Sequence, residues 1–160
     1  GVLMAEIGGM YYVVHTVMGQ WGAAEREQII LQTAAADFTV WGYDVETVVE
    51  QEPGSGGKES AENTIRALSG YRAAADRPTG DKALRAEPLA AQASVGRVKI
   101  VAGTWNRDYL DLVAAFPGGT YKDAVDASSG AFARLSAANE TRRPTAGKAR
   151  VTRREELFGP

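Results

Sequence analysis

The chain has 160 residues, of which 44% are hydrophobic and 24% charged, and its formal net charge at pH 7 is −2. These values are typical of one globular domain with a sizeable core, and no apolar run approaches the roughly 20 residues of a membrane-spanning helix. The start of the chain shows no signal-peptide pattern. Cysteine is absent and His15 is the single histidine, which argues against thiol chemistry and zinc and leaves oxygen-ligated ions such as Mg²⁺ or Mn²⁺.

The charge is unevenly distributed. Residues 141–160 contain six basic residues and two glutamates, which gives +4 and leaves −6 on the first 140 residues. A basic tail of this kind contacts nucleic acid or an acidic partner, or is a solvated, disordered terminus. We therefore predict a folded domain over 1–138 and a basic, flexible tail over 139–160.

The first third of the chain predicts a hairpin, a helix and a strand. Residues 2–7 and 11–17 are rich in β-formers and flank a Gly-Gly pair, which is a hairpin signal. Residues 23–36 indicate a helix with an apolar stripe made of Ile29, Ile30, Thr33 and Ala34. Strand candidates follow at 38–41 and 45–49, and the second is predicted to be the buried one.

The remainder of the chain alternates between helices and strands. Asp81 can cap a helix that extends to about residue 94, and Pro88 is expected to kink or divide this helix. The other predicted elements are a helix at 60–68, a strand at 71–75, a strand at 97–101, and helices at 106–116 and 122–137. This order predicts an α/β fold with a mixed β-sheet flanked by helices, compatible with a ribonuclease H-like fold.

Glu50 is the first candidate for chemistry. It ends the run Val48-Val49-Glu50, and α/β sheets place working residues at the carboxyl ends of strands. Glu52 follows two residues later. Hydrolysis of a phosphodiester with two metals requires carboxylates from separate elements to converge on the ions. An isolated strand-end acid is equally explained by a solvated or helix-capping carboxylate.

Asp123 and Asp126 form the second candidate site. They are three residues apart at the start of the last predicted helix and therefore share a face. Carboxylates at a helix N-terminus are stabilised by the helix dipole, so capping alone is the alternative. A catalytic role requires Asp123 to meet Glu50 across the sheet.

The glycine-rich segment 54–58 ends in Lys58. It lacks the spacing of a phosphate-binding P-loop, because Glu52 occupies the position of the first glycine and Glu59 follows the lysine. We therefore expect no nucleotide here. The segment is either a flexible connector or a place where backbone amides and Lys58 approach a DNA phosphate.

Lys82 and Arg85 lie three residues apart near the start of their predicted helix. This spacing allows them to bind two backbone phosphates of DNA. The same spacing is common for charged residues on a solvated face, so both interpretations remain open.

Several segments together resemble the nuclease domain of the large subunit of phage terminases, over about 1–135. They are Glu50-Gln-Glu-Pro-Gly-Ser-Gly-Gly-Lys58, Thr79-Gly-Asp-Lys82 with Arg85-Ala-Glu-Pro88, Trp105-Asn-Arg107, and Phe116-Pro117 leading to Asp123-Ala-Val-Asp126-Ala. The resemblance implies a ribonuclease H-like fold and a Mg²⁺ or Mn²⁺ site. Its metal-binding and catalytic residues would be Glu50 and Asp123, with Asp126 and Glu52 as further ligands.

The chain departs from this family in two ways. The family motif His-Asp-Asp corresponds to Tyr121-Lys122-Asp123 here. The first metal-binding aspartate of the family lies on an opening strand that would precede Gly1, and no acid between Gly1 and Met10 replaces it. We therefore expect a truncated domain that lacks its first strand and has an incomplete metal site.

The leading functional hypothesis is metal-dependent endonucleolytic cleavage of double-stranded viral DNA during packaging. The resemblance also implies the portal and the small terminase subunit as partners, and the cytoplasm of a bacterial host as the location of this phage or prophage protein. The alternative hypothesis is a non-catalytic assembly module that binds DNA or the portal. A host nuclease or resolvase of similar fold is a third.

Overall fold

The computed structural model describes residues 1–142, which form five β-strands and five α-helices. The predicted tail from residue 143 onward lies outside the described residues, and the domain boundary at 138 stays a prediction. The elements are β1 (Val2–Ile7), β2 (Met10–Thr16), α1 (Ala23–Trp41), β3 (Thr47–Glu50), α2 (Ser55–Ala67), β4 (Ala73–Asp76), α3 (Lys82–Ser94), β5 (Val98–Ile100), α4 (Asn106–Ala114) and α5 (Asp123–Arg142).

The strands confirm the predicted mixed topology. β1 and β2 form the expected antiparallel hairpin, and β5 pairs parallel to β2. β3 and β4 pair parallel to each other in a second, two-stranded sheet. The strand order is therefore β1-β2-β5 in one sheet and β3-β4 in the other.

The main core lies between the larger sheet and the two C-terminal helices. Met4 and Val13 from the sheet pack with Tyr109 of α4 and Phe132 of α5. The ring of Tyr11 lies 4.6 Å from that of Phe132, a distance at which aromatic pairs add stabilisation beyond their buried area. This core fixes α5, and therefore Asp123 at its start, relative to the hairpin.

The strand predicted at 38–41 was wrong, because α1 continues through these residues. Phe38 packs edge-on against Tyr43 at 5.0 Å and against Tyr71 at 5.4 Å. These tertiary contacts outweigh the local β preference of an aromatic and β-branched run. The helix ends at Gly42, whose φ of +58° suits glycine at a helix C-terminus.

Helix α2 begins earlier than predicted, since Ser55 already belongs to it. The glycine segment is thus the first turn of a helix and not a flexible connector. Gly57 is required by packing: a Cβ atom at this position would overlap the backbone carbonyl of Glu52. Gly54, which has a φ of +93°, provides the turn between β3 and α2.

Helix α3 begins as predicted and is continuous. The carboxylate of Asp81 accepts hydrogen bonds from the amides of Ala83, at 2.7 Å, and Leu84, at 3.4 Å. Pro88 lies inside the helix and does not divide it. Within residues 1–142, none of the helices combines the length and the hydrophobicity needed to span a bilayer.

Candidate functional site

A groove of about 710 Å³ lies between the two sheets. Residues of β1 and β3 line it from the two sheets, and α1 contributes the four residues of its predicted apolar stripe. The charged side chains at the groove include three of the predicted metal ligands and one predicted DNA-binding residue: Glu50, Glu52, Asp123 and Lys82. The structure therefore places residues from distant parts of the sequence at one site.

Glu50 is the last residue of β3, as predicted. In the pairing of β3 with β4, Glu50 lies opposite Asp76. The backbone amide of the next residue, Gln51, donates a hydrogen bond to the carbonyl of Asp76 at 2.6 Å. The Glu50 side chain is exposed to solvent. Among residues 1–142, it forms no hydrogen bond or ion pair, so the carboxylate is available to a ligand.

Asp123 is the first residue of α5 and is also exposed. Its carboxylate has no ion-pair partner among the described residues. The start of a helix stabilises this negative charge. Glu50 and Asp123 thus line one groove from separate elements, and their binding of a shared metal ion stays a prediction.

Asp126 lies in a different environment from Asp123, although they are one helical turn apart. Its side chain is only 6% exposed and is held by two cations. The ammonium of Lys82 donates to Oδ2 of Asp126, and Nη2 of Arg85 donates to Oδ1 at 3.1 Å. Asp126 does not line the groove; it joins α3 to α5.

Lys82 connects this buried carboxylate to the groove. The hydrogen bond to Asp126 raises the pKa of Lys82 above its ordinary value, and the charges of Asp126, Glu50 and Asp123 add to this effect. Partial burial opposes it. The carboxylates of Glu50 and Asp123 therefore both lie close enough to the ammonium of Lys82 to raise its pKa.

The other predicted DNA-binding residues lie elsewhere. The Arg85 side chain is 22% exposed and points at Asp126, so its contact with DNA stays a prediction. Lys58 is solvent-exposed on α2 and lies 3.7 Å from Glu62, one turn further on. Such pairs of exposed side chains contribute little to stability, and Lys58 remains free to reach an anion.

Metal binding at the groove stays a prediction. Within residues 1–142, no group of three or more acidic or histidine side chains is arranged to hold a metal ion. However, Mg²⁺ is commonly held by one or two carboxylates with water completing its shell. Glu50, Asp123 and Glu52 are carboxylates that line the groove, and Asp126 is already bound to two cations.

No sequence pattern indicated the ion pair that joins the smaller sheet to α5. Glu46, just before β3, accepts two hydrogen bonds from Arg134 of α5, at 2.8 and 2.9 Å. This bidentate pair ties the strand that carries Glu50 to the helix that carries Asp123. The two residues are 88 positions apart, so no local pattern could have revealed it.

This pair makes a pH-dependent contribution to stability. The hydrogen bonds from Arg134 hold the pKa of Glu46 below its ordinary value. Its stabilisation is therefore present above the pKa of the unfolded chain and is lost as the pH falls through the lower pKa of the folded protein. We expect Glu46→Gln to cost up to about 1 kcal/mol near pH 7 and almost nothing near pH 3.

Urea denaturation of both proteins at several pH values measures this difference. Glu62→Gln, which removes an exposed acid of a surface pair, is the matched control and should have a smaller effect at every pH. If the loss of stability caused by Glu46→Gln stays constant down to pH 3, the ionised Glu46–Arg134 pair is not the source of the stabilisation.

The fold and site together define a class: an α/β domain with a mixed sheet flanked by helices, in which a strand-end glutamate and a helix-start aspartate share a groove. A family model described as the terminase RNaseH-like domain matches residues 22–135. The chain therefore belongs to this family and is a terminase nuclease-like domain, as the resemblance predicted. Comparisons with curated proteins and with solved structures give no match.

Proposed function

We propose that this domain hydrolyses phosphodiester bonds of double-stranded viral DNA in a reaction that depends on Mg²⁺ or Mn²⁺. The observation that supports the proposal most directly is the shared groove of Glu50 and Asp123, whose carboxylates have no partner among residues 1–142. They come from elements far apart in the sequence. Carboxylates from separate elements at one groove are what a metal-dependent nuclease site requires.

The proposed division of labour follows from exposure and charge. Glu50 and Asp123 would hold the ion, and Glu52, which lines the same groove, would be a further ligand. The bound ion supplies a water of lowered pKa and charge stabilisation at the phosphate. The backbone contacts of β3 with β4 and the Glu46–Arg134 pair keep Glu50 in position.

Cleavage does not require the protein to read the DNA sequence. Lys58 and Lys82 are exposed cations that can contact backbone phosphates, which carry no sequence information. In the complete packaging machine we place the portal and the small terminase subunit as partners, in the cytoplasm of an infected bacterium.

Plasmid cleavage by the purified chain tests this function. We expect Mn²⁺ to support nicking and linearisation, a chelator to stop it, and Glu50→Ala or Asp123→Ala to reduce the rate at least about a hundredfold, because each removes a metal ligand. Glu59→Ala removes a nearby acid that does not line the groove and is the matched control. Cleavage that survives both ligand substitutions would refute the site.

The second candidate is a non-catalytic module that binds DNA or the portal. It is favoured by the absence of a three-acid group among residues 1–142. Calorimetry distinguishes the two: an assembly module shows no binding at millimolar Mn²⁺, and its affinity for DNA falls steeply with salt.

A further inference from the structure

Lys82 holds an unusual position at the acidic end of the groove. It is the first residue of α3, whose start is fixed by the Asp81 cap. Its side chain is 47% exposed, lines the groove with Glu50 and Asp123, and reaches the buried carboxylate of Asp126. A single ammonium therefore lies near three carboxylates that belong to two different elements.

Lys82 lies among three acidic side chains. Glu50, Asp123 and Asp126 contribute three negative charges, and Arg85 supplies one positive charge that faces Asp126. Clustered carboxylates repel one another unless cations neutralise them. Lys82 lines the groove and is acted on by all three of these charges, whereas the Gly1 ammonium, which also lines the groove, is acted on by Asp123 alone. Lys82 therefore takes part of the electrostatic role that a divalent ion would otherwise have.

We propose that Lys82 is an internal counter-ion that competes with divalent metal for the acidic end of the groove and thereby weakens the metal affinity of the site. This inference rests on the proposed metal site and adds a means of controlling its occupancy. When an ion binds Glu50 and Asp123, it repels the ammonium, whose flexible stem allows it to turn toward solvent or a DNA phosphate.

Arg85 makes this exchange possible without leaving a buried charge alone. It donates to the Oδ1 atom of Asp126, whereas Lys82 occupies Oδ2. Asp126 therefore keeps one cationic partner when the ammonium moves away. Because Arg85 is less exposed and does not line the groove, it is a structural partner and Lys82 is the exchangeable one.

Titration calorimetry of the full chain with Mn²⁺ tests the proposal. Lys82→Met keeps the apolar stem and removes the charge. Coulomb repulsion between a divalent ion and a nearby ammonium in a water-like medium corresponds to roughly a three- to tenfold change in affinity, so the variant should bind Mn²⁺ that much more tightly. The gain should shrink in high salt. Lys82→Arg, which keeps a cation, should stay near the parent affinity.

Lys58→Met is the matched control, because it removes an exposed lysine that does not line the groove, and its affinity should be unchanged. Circular dichroism establishes that each variant is folded; structural damage would weaken binding, which is the opposite direction. Tighter binding by Lys82→Met supports the proposal even if the parent chain binds no Mn²⁺. If parent and variant bind equally, the counter-ion role is wrong and the metal site stands. If neither the parent chain nor Lys82→Met binds Mn²⁺, both the counter-ion role and the proposed metal site are wrong.

Discussion

Replacing Asp126 by alanine is expected to destabilise the domain by about 2–4 kcal/mol. Removing one partner of a buried ion pair costs about 3–5 kcal/mol, because the remaining charge stays buried without compensation. Here Arg85 would be left in that position, while Lys82 is exposed enough to turn to water, so the cost falls below the upper limit. The substitution also removes the side-chain contact that joins α3 to α5.

Chemical denaturation of the two proteins in the absence of metal measures this loss. Asp123→Ala is the matched control, since it removes the same side chain one turn earlier, where the carboxylate is exposed and forms no ion pair among residues 1–142. Its effect should be at most about 1 kcal/mol. Equal destabilisation by the two substitutions would show that Asp126 is not the structural acid that its burial indicates.

The contrast between these two aspartates marks the limit of what the sequence could predict. Their spacing correctly placed both at the start of the last helix, but a spacing of three residues does not show how each one is buried. The docking of α3 covers Asp126 and leaves Asp123 at the groove. Lys82 and Arg85, interpreted from spacing as a pair for DNA, provide the cations that this burial requires.

Glu50 could be placed from the sequence because local signals agreed. A β-branched run, an acid, a proline and a glycine specify a strand end and a tight turn almost independently of the rest of the chain. The hairpin and the Asp81 cap were predictable for the same reason. In contrast, the extension of α1 through Phe38 depends on the rings of Tyr43 and Tyr71, the second of them distant in the sequence.

The division of the strands into two sheets also could not be predicted from local sequence patterns. Strand signals show which residues are extended, but not which edges meet, and the edges of β1 and β3 that face the groove are unpaired among residues 1–142. The position of Glu50 therefore depends on the smaller sheet being held by its helix and by the Glu46–Arg134 pair.

Leu68→Ala is expected to destabilise the domain by about 2–5 kcal/mol, because it deletes a fully buried side chain and leaves a cavity. Leu68 is 1% exposed and directly follows α2, which packs against β3 and β4, and it lies outside the main core cluster. Its loss should therefore act first on the sheet that carries Glu50. We expect amide hydrogen exchange to accelerate in β3 and β4 more than in β1 and β2.

The matched control is Leu84→Ala, which shortens a leucine that is 63% exposed and should change stability by no more than about 0.5 kcal/mol. Mn²⁺ affinity, measured at a temperature where Leu68→Ala is still folded, should fall with the loosening of β3, although Leu68 does not line the groove. Uniform acceleration of exchange in both sheets would show that they unfold as one unit. In that case β3 and β4 would not be locally less stable than β1 and β2.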